Sequence, residues 1–96
     1  MKEASFCLKL TIKTAGGHEV FGEFFLGANR KIAENIFQQL KGDRDVDDRN
    51  ILQLDLMESK NGLPVNIKMM TCDLHELQEN CRIITKEMFR VFNLEE

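Results

Sequence analysis

The chain has 96 residues, 43% of them hydrophobic and 30% charged. Those proportions exclude a disordered, collagen-like or coiled-coil chain and fit a single domain over 1–96. With 13 basic residues against 16 acidic ones, the formal net charge is −3. An acidic balance argues against nucleic-acid binding, which needs a basic surface to displace phosphate counterions.

Phe6, Leu8, Leu10 and Ile12 alternate with Cys7, Lys9, Thr11 and Lys13. This period of two predicts a strand with one buried face. Ala15-Gly16-Gly17 then predicts a tight hairpin turn. Val20 to Leu26 reads as the second strand. Its parity is blurred: Val20, Phe24 and Leu26 point one way, Phe21 and Phe25 the other. Gly22 between them marks the place for a bulge that shifts the register.

Asn29 is an N-cap candidate for a helix running to about Leu40. Ile32, Ala33, Ile36, Phe37 and Leu40 share one face of that helix, and Gly42 is placed to stop it. Asp43 to Asn50 reads as a charged connection. Leu52, Leu54 and Leu56 alternate with Gln53, Asp55 and Met57 in a third strand. Lys60-Asn61-Gly62 carries the asparagine-glycine signal of a hairpin. Val65, Ile67 and Met69 alternate with Asn66, Lys68 and Met70 in the fourth strand, and Pro64 assigns it to a sheet edge. Asp73 and Glu76 form a capping-box pair. Leu74, Leu77, Cys81, Ile84 and Met88 give the inner stripe of a second helix ending near Val91 or Phe92.

The order strand, strand, helix thus occurs twice. It predicts an α+β two-layer sandwich with a ββαββα pseudo-repeat. A four-stranded, mainly antiparallel sheet would carry both helices on one face. The order 2-1-3-4 puts the two most regular strands in the centre and the Gly22 and Pro64 strands at the edges.

Cys7, Cys72 and Cys81 are an odd, scattered set without zinc-site spacing, which suits a reducing cytoplasm. No signal-peptide core, lipidation signal or run of about 20 apolar residues is present, so no membrane partner is expected. Asp43 to Leu54 begins like a calcium loop but has Asp48 where the turn needs glycine and Leu54 where a bidentate Glu belongs. His75-Glu76-Leu77-Gln78-Glu79 begins like a zinc-protease helix, with Glu79 in place of the second histidine. Arg30 and Lys31, in the first turn of helix one, lack the glycines of a phosphate-binding fingerprint and read as surface cations. Cys72, just before helix two, has Asp73 opposing any activation of its thiol. No cofactor or metal is expected from these residues.

The sheet face away from the helices is the more informative surface. The alternation assigns it Lys9, Thr11, Lys13, Glu23, Asp55, Met57, Asn66, Lys68 and Met70, with Phe21 or Phe25. Apolar groups there are mixed with both signs of charge, as at interfaces. The expectation is a small binding module, homodimeric through sheet faces or an edge strand, with another protein or a small ligand as further partners. Phe25, Met57 and Met70 would supply apolar contacts, and Asp55 and Lys68 orientation. An enzyme using Asp55, Lys68 and His75 is the alternative. A single-stranded nucleic-acid binder stacking bases on Phe is a third reading.

Overall fold

The computed structural model describes residues 4–44 and 51–94. The elements follow in the order β1 (Ser5–Thr14), β2 (Gly17–Gly27), α1 (Arg30–Gln39), β3 (Leu52–Lys60), β4 (Leu63–Cys72) and α2 (Leu74–Leu94). The strands form one sheet in the order β2-β1-β3-β4, antiparallel at every neighbouring pair. This is the ββαββα sandwich and the strand order that the alternation and turn signals predict.

Local chemistry explains three of the boundaries. Asn61 and Gly62 of the second hairpin both have positive φ, 57° and 78°, as a two-residue turn matched to the twist of its strands requires. The Asn29 side chain accepts a hydrogen bond from the Ile32 amide at 3.1 Å and starts α1. At the start of α2 the capping box is complete. The Asp73 amide donates to Glu76 Oε1 at 2.9 Å, and the Glu76 amide donates to Asp73 Oδ1 at 2.7 Å. Such reciprocal caps satisfy two amides that the helix itself leaves without partners.

The bulge expected around Gly22 is present. Leu10 pairs with Gly22 but Thr11 pairs with Val20, so Phe21 is the extra residue. A second irregularity in the same strand leaves Leu26 between the partners of Phe6 and Cys7.

The inner sheet face contributes Phe6, Leu8, Leu10, Leu26, Leu52, Leu54, Leu56, Met70 and Cys72 to one buried cluster. Helix α1 adds Ala33, Ile36 and Phe37, and α2 adds Ile84, with Leu77, Ile83 and Met88 packed against it. Both helices therefore cover the same face. Helix α2, 21 residues long, spans about 31 Å at 1.5 Å per residue, enough to run the length of the strands.

Three features of the core depart from the sequence reading. Leu74 is exposed in the first turn of α2, and Cys81 is only partly buried. The inner stripe instead runs through Asn80, which is fully buried. Its Oδ1 accepts the Lys41 amide at 2.6 Å and its Nδ2 donates to the Lys41 carbonyl at 2.9 Å. One side chain of α2 thereby holds the chain leaving α1.

Just beyond, the Asp43 amide donates to the Thr71 carbonyl at 2.8 Å and the Thr71 amide to the Asp43 carbonyl at 2.9 Å. This bridge covers one end of the outer edge of β4. Gly42 lets the backbone come that close. The Arg44 guanidinium then stacks on the Phe37 ring, 5.1 Å from its centroid, and donates to the Phe37 and Gln38 carbonyls at the C-terminal end of α1. A cation there complements the helix dipole.

The last correction concerns β4. Alternation assigns Met70 and Lys68 to the open face. In the structure Met70 pairs with Leu54, and Lys68 with Leu56, on the helix-covered face. Met70 is fully buried, and Lys68 stands exposed at the sheet edge. The cause is the irregularity between Leu56 and Met57, whose partners are Lys68 and Asn66. Ile67 is the extra residue, and a one-residue slip exchanges the faces of all that follows.

Candidate functional site

The open face can be built row by row from the strand register. Its first row is Phe25, Cys7, Met57 and Asn66, read from β2 through β1 and β3 to β4. The middle row is Glu23, Lys9, Asp55 and Met69, and the third is Val20, Thr11, Gln53 and Thr71. Large apolar groups stand at the sides of this surface: Phe25 is 63% exposed, Met69 41%, and Phe21 in the bulge 69%. The centre is recessed. Asp55 is only 8% exposed and Thr11 9%, and Thr71, at the β4 side of the third row, is 1% exposed.

Charge on this face is arranged in alternation. Lys9 lies between Glu23 and Asp55 in register, and Asp55 Oδ1 accepts the Gln53 amide at 2.9 Å. Opposite charges on neighbouring strands contribute about 0.2–1 kcal/mol to a sheet. Cys7 sits in the same surface. Burial pushes its thiol up, Glu23 adds to that, and Lys9 acts the other way.

Of the five residues singled out from the sequence, three share this face. Phe25 is at its side, Asp55 at its recessed centre, and Met57 between Cys7 and Asn66. Met70 belongs to the core, and Lys68 lies on the other side of the sheet from Asp55. The acid–base set of Asp55, Lys68 and His75 is therefore not assembled, since His75 is exposed in the first turn of α2. In the middle row, Lys9, Glu23 and Met69 are given no role by sequence reasoning. For Met69 no local signal exists, because Met69 and Met70 are chemically identical and only the bulge decides which one faces in.

Other candidate chemistry resolves into structure. Arg30 is engaged by Glu34 at 3.0 Å and Glu58 at 3.3 Å, tying the start of α1 to the end of β3. Glu79 pairs with Arg82 at 3.7 Å. The segment resembling a calcium loop lies outside the described residues from 45 to 50. Among the described residues no group of three or more His, Cys, Asp or Glu side chains could hold a metal ion. No helix among them is long and apolar enough to cross a membrane.

Cys72 is fully buried. Burial first, then the charges of Glu76 and Asp73, push its thiol up to about 11. A thiol held protonated is a poor nucleophile. A thiol reagent at mildly alkaline pH is expected to modify the partly exposed Cys7 and Cys81 and to reach Cys72 only on unfolding. Quantitative labelling with and without denaturant reads this directly. The folded chain also holds the Cys72 proton more tightly than the unfolded one. Its stabilising contribution is therefore present below pH 9 and lost as the pH rises toward about 11.

Near the end of α2, Phe89 is exposed and lies with Cys81, Arg82, Thr85 and Lys86 along one side of the helix. The Phe92 and Leu94 side chains lie outside the described part. Comparison of the chain with protein-family models, with curated proteins and with solved structures returned no match.

Proposed function

We propose that this protein is a small binding module that works as a homodimer, with the open face of its sheet as the interface. The observation that carries this reading is the composition of that face. A solvated antiparallel face is ordinarily polar. Here Phe25, Val20 and Met69 stand exposed around a recessed centre, and Phe21 projects from the adjacent bulge. Aromatic and methionine side chains are enriched in interfaces, and large apolar patches on small monomers are uncommon.

Size supports the same reading. Four strands about 4.8 Å apart and about 30 Å long present a footprint of roughly 600 Å², the lower end of what specific interfaces bury on each partner. Phe25 is the side chain to test, because its exposure separates binding from folding. Phe25→Glu is expected to weaken dimerisation about tenfold or more while leaving the circular dichroism spectrum unchanged. Sedimentation equilibrium of parent and variant is the measurement. A parent chain that is monomeric at high micromolar concentration would overturn the reading.

A further inference from the structure

We infer that the two copies stack face to face about a two-fold axis parallel to the strands, between β1 and β3, so that Lys9 of each lies over Asp55 of the partner subunit. This rests on the homodimer reading and deepens it. Both sheet edges are blocked. The free edge of β4 contains Pro64, which has no amide to donate, and the Asp43 bridge already occupies its end. The free edge of β2 is broken by two register shifts. Such devices keep edges from pairing with other chains. The face remains.

Charge fixes the axis. A two-fold axis running across the strands sets β1 over β1, and the middle row then meets itself with Lys9 near Lys9 and Asp55 near Asp55. Like charges facing each other cost several kcal/mol. A two-fold axis along the strands instead sets β1 over β3 of the partner subunit at the same level. Lys9 then meets Asp55 of the partner subunit, and the symmetry makes the reciprocal pair. The neighbouring rows become equally compatible. Thr11 comes over Gln53 of the partner subunit, and Cys7 over Met57 of the partner subunit.

Shape agrees with charge. Asp55 is recessed at 8% exposure, whereas Lys9 is half-buried with a long flexible stem. A long, flexible cation can reach a carboxylate set below its neighbours, and Asp55, which already accepts the Gln53 amide at 2.9 Å, keeps its second oxygen for it. Packed sheets cross at about 30°, so the match is best near the centre of the face. The middle row occupies that centre: Lys9 is the fifth of the 10 residues of β1, and Asp55 the fourth of the 9 of β3.

The test is a charge exchange between two variants, Lys9→Asp and Asp55→Lys. Each alone places like charges across the interface twice and is expected to weaken the dimer about a hundredfold or more. An equimolar mixture restores both opposite-charge pairs, so a heterodimer is expected within about tenfold of the parent affinity. Native mass spectrometry distinguishes the species by mass, and circular dichroism checks that each variant is folded. Like charges within one chain are common to monomer and dimer and do not produce the recovery on mixing.

A parent dimer that is indifferent to both reversals, or a mixture that stays monomeric, overturns this arrangement while leaving dimerisation itself standing. A monomeric parent overturns both. Should a reversal prevent folding, the neutral pair Lys9→Gln and Asp55→Asn replaces it in a double-mutant cycle on the dimer affinity. Coupling of about tenfold is then expected, and additive effects overturn the arrangement.

Discussion

Replacing Gly42 by alanine is expected to lower the unfolding free energy by about 4 kcal/mol, through backbone strain and overpacking together. Gly42 has φ +147°, a region that residues with a Cβ rarely adopt. An added Cβ would run into the Thr71 carbonyl oxygen and lie 2.5 Å from Met70 Cε and 3.2 Å from Cys72 Cβ. Met70 Cε is the end of a flexible side chain, but the Thr71 oxygen is backbone and already holds the Asp43 amide. Relief therefore requires the 42–44 segment to move off β4, which breaks the bridge between Asp43 and Thr71. A domain of this size is stable by only about 5–14 kcal/mol, so this is a large part of the total. Thermal unfolding should shift down by roughly 15–30 °C. Hydrogen exchange adds a local reading: the Asp43 and Thr71 amides lose protection even under conditions where the chain stays folded. A change within about 0.5 kcal/mol would contradict this account of Gly42.

Asn80→Ala is the second large effect, expected at about 3 kcal/mol. The substitution removes both hydrogen bonds to Lys41 and leaves a cavity in the centre of the inner face of α2. Leucine would refill most of the volume, yet the Lys41 amide and carbonyl would still lose their partners. Asn80→Leu is therefore expected to recover only part of the loss. Denaturant unfolding of the two variants separates packing from hydrogen bonding. Full recovery by leucine would show that volume alone mattered.

The unequal legibility of the sequence has physical causes. Period-two alternation in β1 and β3, the Asn61-Gly62 turn and the caps at Asn29 and Asp73 are all local signals. Each depends on residues within a few positions, and each appears in the structure as read. The strand order follows from two edge markers, the Gly22 bulge and Pro64. The features that alternation misses are long-range. The face presented by Met70 depends on an extra residue at Ile67, visible only against β3. A buried Asn80 is likewise legible only once Lys41 is known to lie beside it, since a polar residue one step from an apolar stripe ordinarily faces solvent. For the open face, alternation correctly places Asp55, Met57 and Lys9. It puts Lys68 on that face beside them because the register of β4 is hidden from it.

The seam between β1 and β3 has a kinetic consequence. Among the described residues it is the one pairing between strands that joins the two hairpin–helix halves, and it unites residues such as Ser5 with Ser59 and Ile12 with Leu52. Each hairpin closes locally, on a scale of about 1–10 μs. The seam must instead close a loop of about 40 to 54 residues, an entropy loss that is met before the contacts repay it. Folding speed should therefore track side chains along that seam. Trimming Leu8 or Leu54 would slow folding, and so would weakening either hairpin turn, because the hairpins are closed before the seam forms.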